Sequence, residues 1–105
     1  MDLHRETSSA YLLDRDRVQV KVKIPTPLYS YTGHEALVEA RGSTLEEMTR
    51  DLDKKYPGIR FRVVDEQDQI RPHVKFFVNG KQTFDLKTAI TEKDQIAIVQ
   101  AFSGG

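Results

Sequence analysis

From Val18 to Ile24 the residue type flips at every step: Val18, Val20, Val22 and Ile24 are apolar and β-branched, while Gln19, Lys21 and Lys23 between them are polar. A period of two built from branched side chains dictates a strand with one buried face. Pro25 and Pro27 stop it, and the stretch Thr26 to Gly33 reads as a loop closing a hairpin onto a second strand near Ala36 to Ala40.

The next periodic segment has a different step. Leu45, Met48, Leu52 and Tyr56 recur three and four residues apart, which makes one apolar stripe on a helix. Ser43 with Glu46 fits a capping box, in which the two side chains satisfy first-turn N–H groups. Glu46 with Arg50, and Asp51 with Lys55, are i,i+4 pairs of opposite charge for the solvent side. Pro57-Gly58 ends the helix, because Gly58 accepts a left-handed cap.

Beyond the helix, Ile59 to Arg71 has no single period; Phe61, Val63 and Val64 are expected to pack, and Asp65 to Gln69 to turn. Alternation returns with Val74, Phe76 and Val78 against Lys75, Phe77 and Asn79. Asn79-Gly80 signals a hairpin, since both residues tolerate positive φ. A short strand near Gln82 to Phe84 answers it. Asp85 to Asp94 is a polar connection, and Gln95 to Ala101 is a last apolar strand. The order strand, strand, helix, strand, short strand, strand predicts an α+β, β-grasp (ubiquitin-like) fold: a mixed sheet of four to five strands with one main helix across it. The first and last strands lie side by side at its centre. The expected organisation is an N-terminal extension at 1–16, the β-grasp domain at 17–101 and an extended tail at 102–105.

Composition narrows the function. One domain of 105 residues has little room for a deep, enclosed active site. Basic and acidic residues balance at 16 each, so no long-range field draws the chain to nucleic acid or an anionic membrane. No apolar run approaches the ~18 residues of a membrane span, and Met1 to Arg17 lacks a signal-peptide h-region; a cytoplasmic setting is expected. There is no cysteine, which removes disulfides, thiolate metal sites and a cysteine nucleophile. His4, His34 and His73 are scattered without metal-site spacing. Asp65, Glu66 and Asp68 lack the full calcium-loop pattern and read as a solvated turn. Neither a metal nor a catalytic residue is expected in this chain.

The last strand leads into Phe102-Ser103-Gly104-Gly105. Two terminal glycines arise by chance roughly once in 200 chains. Glycines suit a tail that threads a narrow channel in another protein, and four residues reach at most ~13 Å. Phe102 either anchors this tail in a partner's groove or closes the edge of the core. Phe77, on the polar side of its strand, either belongs to a partner-docking surface or packs under the N-terminal extension. Lys21, Lys23 and Lys75 form either a basic stripe for an acidic partner or, the favoured reading, a solvated sheet face.

Three segments resemble the MoaD/ThiS family of ubiquitin-like sulfur carriers: Ile24-Pro25-Thr26-Pro27-Leu28 with Tyr31-Thr32-Gly33; Val78-Asn79-Gly80; and Ile96-Ala97-Ile98-Val99 leading to Ala101-Phe102-Ser103-Gly104-Gly105. Thr44-Leu45 and Tyr56-Pro57-Gly58, at the two ends of the helix, are also similar to that family. The likeness spans about residues 18 to 105. It departs at Gln100, where many relatives have proline, and at Glu92-Lys93-Asp94, where a glycine-containing turn is frequent.

The resemblance implies a carrier whose Gly105 carboxylate is adenylated and becomes a thiocarboxylate, with Gly104, Ser103 and Phe102 threading into the partner. The chain itself would bind no cofactor; ATP would be used by the activating enzyme. The implied partners are a ubiquitin-activating-type adenylating enzyme, a sulfur donor or sulfurtransferase, and a sulfur-accepting biosynthetic enzyme of cysteine, methionine or related metabolism. Alternatives are a small subunit of molybdopterin synthase and a modifier conjugated to lysines through Gly105. A noncovalent binding module is a third class, and an enzyme in its own right the least supported.

Overall fold

A computed structural model describes residues 19–101; Val18, the extension expected at 1–16 and the tail Phe102 to Gly105 lie outside them. The elements are β1 (Gln19–Lys23), a 3-10 helix (Thr26–Tyr31), β2 (Leu37–Arg41), α1 (Leu45–Lys55), α2 (Ile59–Val63), β3 (Val74–Val78), β4 (Lys81–Thr83) and β5 (Gln95–Gln100). They form one five-stranded sheet in the order β2-β1-β5-β3-β4. β1 and β5 run parallel, with Val22 opposite Ile96; the other neighbours are antiparallel. The expected β-grasp layout is present, with β5 as the central strand.

Alternation decides which side of the sheet is dry. Val20, Val22, Val38, Ala40, Val74, Phe76, Ile96 and Ile98 are all buried on the inner face. The stripe Leu45, Met48 and Leu52 of α1 packs into the same core, and Tyr56 sits half-buried at its edge. Thr49 is also buried; its hydroxyl donates to the Glu46 carbonyl at 2.8 Å and accepts from Arg60 Nε at 3.1 Å, so it is compatible with the helix interior.

Several boundaries differ from the sequence reading. The N-cap of α1 is Thr44 rather than Ser43. Its hydroxyl accepts from the Glu47 N–H at 3.2 Å, while a Glu47 carboxylate oxygen accepts from both the backbone N–H and the hydroxyl of Ser43, each at 2.8 Å. The box is shifted by one because a Ser-Thr pair precedes a Glu-Glu pair. The Ser43 bonds hold the Glu47 carboxyl below its ordinary range. The next two free N–H groups, of Leu45 and Glu46, donate to the carbonyls of Thr88 and Leu86. The polar connection before β5 is thus fastened to the start of the helix, with Leu86 and Ile90 in the core.

The segment after α1 supplies a correction. Ile59–Val63 is a single helical turn, so Ile59 and Val63 point inward while Phe61 is 54% exposed. A four-residue step, not alternation, sets this face. Val64 is buried as expected. Asp53 ties the two helices together, one carboxylate oxygen accepting from the N–H groups of Gly58 at 3.0 Å and Arg60 at 3.1 Å. Gly58 takes φ +97°, as the sequence demands, and also caps the start of α2.

Candidate functional site

The face of the sheet opposite α1 carries the other half of each alternation. The ladder sets Lys23 between Leu37 on one side and Ala97 on the other, Phe77 beside Ala97, and Lys75 beside Val99. Leu37, 54% exposed, and Val99, 40% exposed, stand with half-buried Phe77 and Ala97 around a groove of about 470 Å³ flanked by Lys21 and Lys23. It is an apolar strip with a basic margin. An apolar patch rimmed by polar groups is the ordinary form of a protein-docking surface. Phe77 therefore lies where the sequence reading put it, on the outer face. The extension that could have covered it is outside the described residues. Leu37 and Val99 escaped that reading, although the unbroken apolar run from Ile96 to Val99 carries the signal of a strand apolar on both sides.

A wider concavity, of about 510 Å³, lies on the helical side and is lined by Arg50, Asp53, Arg60, Phe61 and Asp68 among others. It is compensated from within: Arg60 Nη2 meets Asp68 Oδ1 at 3.0 Å and Arg50 Nη2 approaches the same oxygen at 3.8 Å. The outer groove offers more apolar surface than this one. Among the described residues, no group of three or more His, Asp or Glu side chains could hold a metal ion.

The two ends of β5 are fixed differently. At its start, Asn79 and Asp94 form a clasp: Asn79 Nδ2 donates to Asp94 Oδ1, the Thr91 N–H to Asp94 Oδ2 and the Gln95 N–H to Asn79 Oδ1, each at 2.8 Å. The Asn79 amide, and then the Thr91 N–H, hold the Asp94 carboxyl below its ordinary range. Asn79 and Gly80 make the turn with φ of 53° and 84°. At its finish, the Ala101 N–H donates to the His73 carbonyl at 2.8 Å. The central strand thus delivers the chain to the end of the sheet, at the point where the described residues stop. Gly105, Gly104, Ser103 and Phe102, the expected reactive and threading residues, all lie beyond that point.

Comparison with known proteins places this arrangement. The ThiS family model matches residues 22–105. The sulfur carrier protein CysO of Mycobacterium tuberculosis is 36% identical over 93 residues, covering 84% of this chain and the whole of that protein. A chain of the crystal structure of the Amycolatopsis orientalis BexX/CysO complex superposes with a TM-score of 0.75 at 32% identity, covering 82% of this chain and 99% of that one. Small archaeal modifier protein 3 of Haloferax volcanii is 27% identical over 66 residues, covering 60% of this chain and 71% of that protein.

Proposed function

The chain belongs to the ThiS family, and from that premise we propose that it is a sulfur carrier charged at the Gly105 carboxylate. The observation that carries this reading is the 36% identity to CysO along that carrier's full length. In the proposed cycle a Gly105 carboxylate oxygen attacks the α-phosphorus of ATP in a partner's site, and pyrophosphate leaves. Reduced sulfur from a donor then attacks the acyl carbon, and AMP departs, leaving a thiocarboxylate. Splitting one difficult substitution into two easier ones is the usual use of such an intermediate. The sulfur is then handed to a biosynthetic enzyme of cysteine, methionine or related metabolism. ATP belongs to the activating enzyme; the carrier is a cosubstrate and binds no cofactor of its own. The cytoplasm is the proposed setting.

Phe102, Ser103 and Gly104 are the proposed threading segment, and the outer groove around Phe77 is the proposed docking surface for the activating enzyme. Intact mass after incubation with the cognate adenylating enzyme, ATP and sulfide tests the chemistry. Replacement of one oxygen by sulfur adds ~16 Da to the acyl group, and deletion of Gly105 abolishes the gain. An unchanged mass in the full chain would sink the proposal. Phe77→Ala should weaken the complex with that enzyme by roughly 10-fold, as for an aromatic anchor, measured by titration calorimetry.

The likeness to a small archaeal modifier favours one second reading, conjugation through Gly105 to lysines of target proteins. Lysine-linked adducts that disappear on deletion of Gly105 would establish it.

A further inference from the structure

Beside the point where the chain leaves the sheet stands a cationic and aromatic cluster separate from the outer groove. α2 and the loop before β3 bring it together. Arg71 Nε donates to the Phe61 carbonyl at 2.7 Å, and the Arg71 guanidinium carbon lies 4.4 Å above the centre of the Phe61 ring. The Arg71 backbone is held as well, its N–H on the Val63 carbonyl at 3.0 Å and its carbonyl accepting from Val74 at 2.9 Å. Phe61, exposed Arg62, Arg71 and His73 line a concavity of about 200 Å³. Among the described residues neither Arg62 nor Arg71 is in an ion pair, whereas Arg50 and Arg60 share Asp68.

His73 also holds Ala101, and that bond fixes the geometry. Four residues beyond Ala101 reach at most ~13 Å. A protein that closes around Gly105 must therefore bring the mouth of its cleft against the surface beside Ala101. Through His73, which lines the concavity with Phe61, Arg62 and Arg71, that surface includes this cluster. A guanidinium stacked on a ring and tethered through Nε is pre-set for a carboxylate at its remaining N–H groups.

We infer that Phe61, Arg62 and Arg71 form a second contact surface, at the root of the tail, for an acidic rim around the cleft of the enzyme that activates it. The inference rests on the proposed carrier reading. It deepens that reading by assigning recognition of the activating enzyme to two separated patches, the outer groove and this cluster. A rim contact between opposite charges acts on encounter and on salt dependence more than on chemistry.

The test is adenylation kinetics with the cognate activating enzyme, followed as pyrophosphate release. R71E and R62E are compared with the wild-type chain and with K93E, which makes the same change in charge at the opposite end of β5. R71E is expected to raise the KM for the carrier roughly 10-fold with little change in kcat, R62E to act in the same direction, and both to flatten the rise of KM with salt. K93E should match wild type. Melting curves identify a variant that fails to fold, and R62E, whose side chain is exposed, then carries the test. KM values for both variants within twofold of wild type would overturn the inference while leaving the carrier reading intact. Unchanged KM with faster hydrolysis of the thiocarboxylate would also overturn it, by assigning the cluster to the chain's own tail. A wild-type chain that gains no sulfur removes the carrier reading, and the inference with it.

Discussion

A few single residues carry more of the fold than their size suggests. Gly42 joins β2 to α1 at φ +151°, and a methyl group there would stand 2.7 Å from the Met48 nitrogen and 2.9 Å from the Glu47 Cβ. The backbone of the first helical turn cannot retreat from it. Gly42→Ala should cost about 2 kcal/mol of stability, read from urea unfolding. Asp94 makes a prediction about pH. Its carboxyl is depressed in the folded chain by the Asn79 amide and the Thr91 N–H. The charged form is therefore favoured by folding, and its contribution is present in full above the ordinary carboxylate range. It is lost as pH falls through the lower folded value. Asp94→Asn should reduce the loss of stability on acidification, measured by denaturant melts at a series of pH values.

At the level of elements, the strands show how far pattern reading extends. β1 and β3 follow from alternation, β5 from a short apolar run, and the Asn79-Gly80 turn from residues that tolerate positive φ. The start of α1 was misplaced by one residue, at Ser43 with Glu46, because Ser43 and Thr44, followed by Glu46 and Glu47, contain two overlapping boxes. Tertiary bonds donated by the Leu45 and Glu46 N–H groups to the Thr88 and Leu86 carbonyls select the second. Thr44→Ala should accordingly destabilise the domain by about 1 kcal/mol, more than Ser43→Ala, in thermal melts. α2 was not legible as a helix: one turn is too short for a period, and Phe61 inside it faces solvent. The candidate site divides in the same way. Phe77 follows from its place in the alternation. Arg71 and Phe61 meet only because α2 and the Val64–Ile70 bridge fold that segment back, which no local pattern announces.

For the molecule as a whole, the inner and outer faces of the sheet differ in burial. Phe76 and Phe77 are neighbours in sequence, yet Phe76 is wholly buried and Phe77 looks out over the groove. Phe76→Ala should cost ~3–5 kcal/mol, a large part of the ~5–15 kcal/mol that a domain of this size possesses, and cripple partner binding only through unfolding. Phe77→Ala should leave the melting temperature almost in place and act on binding alone. The same sheet has a practical use. Because β1 and β5 point the same way, the polypeptide enters the sheet at Gln19 and leaves at Ala101 from opposite poles. A fluorophore or immobilisation handle attached at Gln19 would thus stand at the pole away from Ala101, so that, on the proposed carrier reading, a surface-tethered chain could be charged, discharged and charged again in place.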